Sequence, residues 1–208
     1  ITDAARLFAN VDITKEPMEV GPTVHYMMGG IRVDPETSSS TIEGMYSAGE
    51  SAAGLHGANR LGGNSLSDLL VFGNIAGYSA ANFAAKCEDL TIHKSAIEGA
   101  IEETLKSFDK DNTEDPYKMH AELQDIMEKH VGIVREEKSL EEGIQKLKNM
   151  EKRLEKLKTT GGREYNPCWH LCLDLKNMVI TSLAVAEAAK ERRESRGGHT
   201  RLDYPEYD

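Results

Sequence analysis

His56-Gly57-Ala58-Asn59-Arg60-Leu61-Gly62-Gly63-Asn64-Ser65-Leu66 brings three glycines, two asparagines, a histidine and an arginine together, directly ahead of a long apolar run. That run, Leu66 to Ala85, sets Leu66, Leu69, Leu70, Phe72, Ile75, Ala76, Ala80 and Phe83 at helical intervals, with Gly73 and Gly77 four apart. The pattern predicts a glycine-rich loop feeding a buried helix. Ser65 stands where an N-cap is expected, and Asp68 three residues on completes a capping-box pattern. A helix that starts this way presents unpaired N–H groups and a partial positive charge. Glycines ahead of it let a flat or anionic ligand approach the backbone closely. Arg60 adds a guanidinium fork suited to a carboxylate or phosphate. A plainer reading of the same residues is a loop that only turns into a core helix, with Arg60 solvated.

The segments before this loop read as its scaffold. Residues 1–20 predict a short amphipathic helix (Ala4, Leu7, Phe8, Val11) and a connector with Pro17. Pro22 to Asp34 alternates and is rich in β-formers, with Gly29-Gly30 in its middle, and Asp34 to Ser40 is polar turn material. Thr41 to Glu50 reads as a return strand ending in Gly49-Glu50. A strand pair, a glycine loop and a helix, in that order, are the parts of a cofactor-binding α/β core.

Beyond Cys87 the glycines thin out and charges multiply. Ser95-Ala96-Ile97-Glu98 is another capping-box pattern, with Ile97, Ile101, Leu105 and Phe108 on one face. Asp111 to Pro116 breaks that helix, and Leu123, Ile126, Met127, Val131 and Val134 mark the next. Ser139-Leu140-Glu141-Glu142 is placed to cap a third, whose Leu140, Ile144, Leu147, Leu154 and Leu157 fall at heptad-like positions. Thr159 to Pro167 is a loop, and Leu171, Leu175, Met178, Leu183 and Ala186 carry a fourth helix to about Arg193. Short loops favour packing of the heptad stripe against its own neighbours over a coiled-coil dimer seam. The expected fold class is α+β. A partial cofactor-binding α/β core over 1–90 precedes an antiparallel helical bundle over 91–193 and an extended tail over 194–208 that folds back.

Composition narrows the function. With 25 basic against 35 acidic residues the net charge is −10, which argues against nonspecific binding to nucleic acid or anionic lipid. No stretch reaches the roughly 18 uncharged apolar residues of a spanning helix. The three cysteines, Cys87, Cys168 and Cys172, form no disulfide framework and suggest a reducing compartment. Cys168 and Cys172, one helical turn apart, invite a metal reading, but no second ligand pair accompanies them, so they are assigned to packing and no metal is expected. Ile1-Thr2-Asp3 carries no initiator methionine and no leader pattern, and reads as the middle of a longer protein.

The string HGANRLGGNSL, followed by Asp68 and Val71-Phe72-Gly73, closely resembles the flavoprotein subunit of succinate dehydrogenase and fumarate reductase. His25-Tyr26 before Met28-Gly29-Gly30 resembles that family's HYxMGG motif, and Glu194 to Pro205 its ESRGxHxRxDxP segment. The resemblance implies that His25 and Arg60 bind the carboxylates of a C4 dicarboxylate, succinate or fumarate. It also implies that Glu50 contacts FAD and that the backbone of Ser65 and Leu66 donates to the flavin near its N1/C2-carbonyl edge. Reduced flavin carries negative charge there, which a helix N-terminus stabilises. The tail is expected to dock the bundle.

The chain lacks a G-x-G-x-x-G fingerprint. In the resembled family that element, the histidine bonded covalently to FAD and a capping domain with the proton-donor arginine all lie upstream, so no catalytic residue is assigned here. The piece alone is expected not to catalyse, with exposed apolar edges. In the complete enzyme the resemblance implies hydride transfer between succinate and FAD. Electrons then pass to an iron–sulfur subunit, and from there to quinone through a membrane anchor. That arrangement implies a peripheral position at the cytoplasmic or matrix face of an energy-transducing membrane. L-aspartate oxidase shares HGANR but usually continues as ASNSL, so Gly62-Gly63 and Met28-Gly29-Gly30 favour the dehydrogenase. A non-catalytic helical interaction module is the other alternative.

Overall fold

The structure, a computed structural model, describes residues 1–21, 24–88 and 91–206. Pro22 and Thr23 of the expected first strand, and Leu90 at the expected boundary, lie outside the described residues. Helices α1 (Thr2–Ala9), α2 (Asn64–Ala84), α3 (Lys94–Leu105), α4 (Pro116–Val131), α5 (Glu137–Glu151) and α6 (Pro167–Glu191) are joined by loops and short strands. The strands are β1 (Ile31–Arg32), β2 (Ala52–Ala53), β3 (Val134–Arg135) and β4 (Thr200–Arg201), so the expected α+β class is found at this coarse level.

The front strand pair differs from expectation in length, place and direction. β1 and β2 run parallel, Ile31 opposite Ala52 and Arg32 opposite Ala53, and β2 follows Glu50 instead of ending at it. Thr41 to Glu50 is mostly turn, tied by one antiparallel bridge between Ser39 and Tyr46. Local polar bonds explain this. The Asp34 carboxylate accepts from the Glu36 and Thr37 amides at 3.0 Å each, which folds the chain tightly where a strand would have continued. Gly30, at φ 151°, lies where a Cβ would meet Ser51 O at 2.5 Å, so the two strands close only over a glycine.

Helix α2 begins one residue before Ser65. Gly63, left-handed at φ 84°, is its N-cap, with no side-chain cap bond, so Ser65 lies within the first turn. The expected burial of α2 is also corrected. Asp68 is its one buried residue, whereas Leu66, Leu69, Leu70, Val71 and Tyr78 are exposed. Little of this chain covers them. α2 meets the 3-10 turn Gly49–Ser51, and Phe83 packs edge-on against Tyr46 with ring centroids 6.4 Å apart. The apolar face of α1 is likewise open at Leu7 and Phe8.

The core lies elsewhere. Met119, Leu123, Ile126, Leu140, Ile144, Leu147, Met150, Leu175 and Val179 bury one contiguous cluster between α4, α5 and α6, each side chain worth about 1.5–3 kcal/mol. The heptad stripe, Leu154 and Leu157 included, is thus absorbed within the chain. Asp115 caps α4 through the Tyr117 amide at 2.9 Å, and Asn166 caps α6 through the Trp169 amide at 3.1 Å, each with proline directly after it. Ser95 and Ser139 are not caps; His93 and Glu136 hold those positions. Val134 leaves the helical stripe for β3, which pairs in parallel with β4 of the returning tail. Cys168 and Cys172 are buried on α6, and Cys172 belongs to the core cluster.

Candidate functional site

Three segments converge at the start of α2: the His25–Gly30 stretch, the turn at Glu50 and the glycine loop. Glu50 Oε1 accepts from the Met27 amide at 2.8 Å and fastens the first two together. A Cβ on Gly49, at φ 66°, would stand 2.7 Å from Leu69 Cδ2, so a glycine lets this turn sit against α2. Arg60 folds back from the loop and lays its guanidinium over the Tyr26 ring, 4.4 Å from Cζ to centroid. One terminal nitrogen donates to Leu61 O at 3.1 Å, while Nε is buried without a hydrogen-bond partner among the described residues.

At the hydroxyl end of that ring lies a polar cluster. Tyr26 Oη donates to Asp68 Oδ2 at 3.4 Å, and His56 Nε2 stands 3.2 Å from the same hydroxyl and 3.3 Å from the same carboxylate oxygen. The His56 and Asp68 side chains are 8% and 4% exposed, so the acid depends on these two partners. Burial first, then the negative charges of Asp68 and Glu50, push the Tyr26 hydroxyl above the ordinary tyrosine range and keep it protonated.

Among the residues singled out from sequence, Arg60 and Glu50 are brought to the His25–Gly30 stretch. His25 itself is exposed and does not hydrogen-bond Arg60; it adjoins Tyr26, on which Arg60 rests. Leu66 N–H donates to Gly63 O at 3.1 Å and is already in use, whereas Ser65 N–H has no backbone acceptor among the described residues. Tyr26, His56 and Asp68 were not assigned roles from sequence, beyond Asp68 in a capping pattern. The signal that could have found them was an acid inside an apolar helical run, which must find a partner if buried.

The tail reaches the same loop. Gly198 N–H donates to Ala58 O at 3.2 Å, beside Asn59. Its anchor is Arg201, fully buried, which donates to Glu137 Oε2 at 2.7 Å, to Asp203 Oδ2 at 2.6 Å and to the carbonyls of Ala189 and Lys190. The loop of the candidate site is therefore tied through the tail to the helical core. Among the described residues no group of three or more His, Cys, Asp or Glu is arranged to hold a metal ion. An open groove lined by Glu122, Asp125, Lys129 and Lys146 lies on the helical part, away from this constellation.

Residues 1–66 match the model of the FAD binding domain, and residues 120–208 match that of the fumarate reductase flavoprotein C-term. The whole chain is 41% identical to 38% of the succinate dehydrogenase flavoprotein subunit of Coxiella burnetii. It is also 33% identical, over 100% of its length, to 35% of the fumarate reductase flavoprotein subunit of Haemophilus influenzae. The Mycobacterium smegmatis Sdh1 complex in the apo form contains a chain that superposes with a TM-score of 0.93 at 48% identity, over 100% of this chain and 35% of that one. This chain thus spans between a third and two-fifths of the length of these relatives. Both halves point to one assignment: the chain belongs to the flavoprotein subunits of the succinate dehydrogenase and fumarate reductase family.

Proposed function

We propose that this chain carries the dicarboxylate clamp and the flavin-facing helix end of an oxidoreductase that interconverts succinate and fumarate. The observation that carries the reading is Arg60, held over the Tyr26 ring with its Nε–H lacking an acceptor among the described residues. An unpaired buried donor costs about 1–3 kcal/mol. A carboxylate that takes Nε–H and a terminal N–H together removes that cost and forms a charge-assisted bidentate pair. His25, exposed one residue from Tyr26, supplies a second donor for the other end of a short diacid.

The residues present also fit a flavin. α2 opens on a left-handed glycine, its Ser65 N–H has no backbone acceptor among the described residues, and the exposed side chains of Leu61 and Leu66 flank it with apolar surface. FAD, when bound, supplies the hydride acceptor. Around it, the Ser65 amide and the α2 dipole favour negative charge. Leu66 contributes apolar contact more than an amide, because its N–H is engaged with Gly63. Glu50 spends one oxygen on Met27 and keeps the other for a ligand hydroxyl.

The electrons would go to an iron–sulfur subunit, with quinone beyond it through a membrane anchor. Among the described residues no helix is long and apolar enough to cross a membrane. The test is steady-state kinetics of the full-length flavoprotein in its complex. Arg60→Ala should lower kcat/KM for succinate about a hundred-fold or more with flavin content unchanged. Retention of wild-type kcat/KM would overturn the clamp.

A further inference from the structure

The clamp arginine is pinned before any ligand arrives. One terminal nitrogen donates to Leu61 O, and the guanidinium carbon sits over Tyr26, 4.4 Å from the ring centroid. Tyr26 is pinned in turn. Its hydroxyl donates to Asp68, and His56 meets its ring edge-on at 81° with centroids 5.4 Å apart while facing both oxygens of that bond. Among the described residues Arg60 forms no ion pair with Asp68, so the acid reaches the arginine through the phenol.

We propose that Tyr26 is a positioning residue, whose ring face, held and polarised by the buried Asp68–His56 pair, fixes Arg60 in the orientation that receives a dicarboxylate. The proposal rests on the dicarboxylate reading above. A phenol donating to a carboxylate gains negative character, which deepens the attraction of its face for a cation. An arginine already immobilised loses little rotamer freedom on binding, so more of each new hydrogen bond appears as affinity. Asp68 is the one buried residue of α2, a costly placement for an acid that this role accounts for.

The test uses the full-length flavoprotein in its complex, with malonate as a non-oxidisable dicarboxylate probe read by the flavin absorbance change. Position 26 is made phenylalanine and then mono-, di- and trifluorophenylalanine, which keep the shape while draining the ring face. We expect malonate affinity to fall stepwise with each fluorine, and Tyr26→Leu to bind about ten-fold more weakly than the wild type. Asp68→Asn should bind about three-fold more weakly, with flavin content retained. A structural role alone would leave the fluorine series flat. A flat series, with Arg60→Ala still weakening malonate, would overturn the positioning role and leave the clamp standing. Malonate that does not perturb the wild-type flavin, or that binds Arg60→Ala as tightly, would sink the dicarboxylate reading and this proposal with it.

Discussion

Arg201 shows how one side chain can hold a tail in place. It is fully buried, yet its fork is occupied by Glu137, Asp203 and the carbonyls that end α6. Its hydrogen bond holds the Asp203 carboxyl down at about 2, well below the ordinary aspartate value. A methionine here fills similar volume but strands two carboxylates and several carbonyls. Breaking a buried pair from one side costs about 3–5 kcal/mol. Arg201→Met should therefore lower the unfolding free energy of the helical part by about 3 kcal/mol, and Arg201→Lys should recover little because an ammonium cannot match the fork. Denaturant unfolding followed by circular dichroism checks both, and a wild-type midpoint in Arg201→Met would show that the network contributes nothing.

Gly197 governs how the tail meets the glycine loop. At φ 64° it occupies the left-handed region, and a Cβ there would lie 2.1 Å from Ala58 O. Both features oppose any side chain. Gly197→Ala should lift the tail from the loop, which hydrogen exchange would read as faster exchange of the Gly198 amide, now bonded to Ala58 O. α4 to α6 should exchange as before, and unchanged Gly198 protection would count against the tether. The same elements show what could be read beforehand. Asp115-Pro116 and Asn166-Pro167, read only as the ends of a breaker and a loop, are helix starts, because proline suits the first helical position and the side chain before it caps the free amides. The serines at 65, 95 and 139 are not, since a hydroxyl in the first turn finds other work; Ser139 meets His130 Nδ1 at 3.2 Å. The glycine loop leading into a helix was legible in the sequence, as Gly63 capping α2 shows. The Tyr26–His56–Asp68 cluster was not, because its members lie 30 and 42 positions apart and no local period links them.

Taken as a unit, the chain divides its burden unevenly. Among the described residues, Ala5 is the one buried apolar side chain before Pro116, so nearly all the buried apolar surface lies in the helical part and the tail's seat. Two histidines sit in that part as buried neutral groups. His130 Nε2 accepts from the Lys146 ammonium at 2.8 Å, and His199 Nδ1 accepts from Arg135 at 2.7 Å while Nε2–H donates to Arg192 O at 2.9 Å. Burial first, then the neighbouring cations, holds both below the ordinary histidine range. A proton added to either would face a cation where its lone pair now points. The unfolded chain, by contrast, takes up those protons near the ordinary value of about 6.5. Because the unfolded state then binds more protons than the folded one, stability is fully present above about pH 7 and declines as the pH falls through 6.5. Asp203 and Glu114, both held low by arginines, contribute a separate loss only at about pH 4 and below. Denaturant midpoints from pH 8 to pH 4 should thus show a first decline starting near 6.5, roughly halved in His199→Gln. A profile flat down to the carboxylate range would mean that the two imidazoles are protonated in place at little cost.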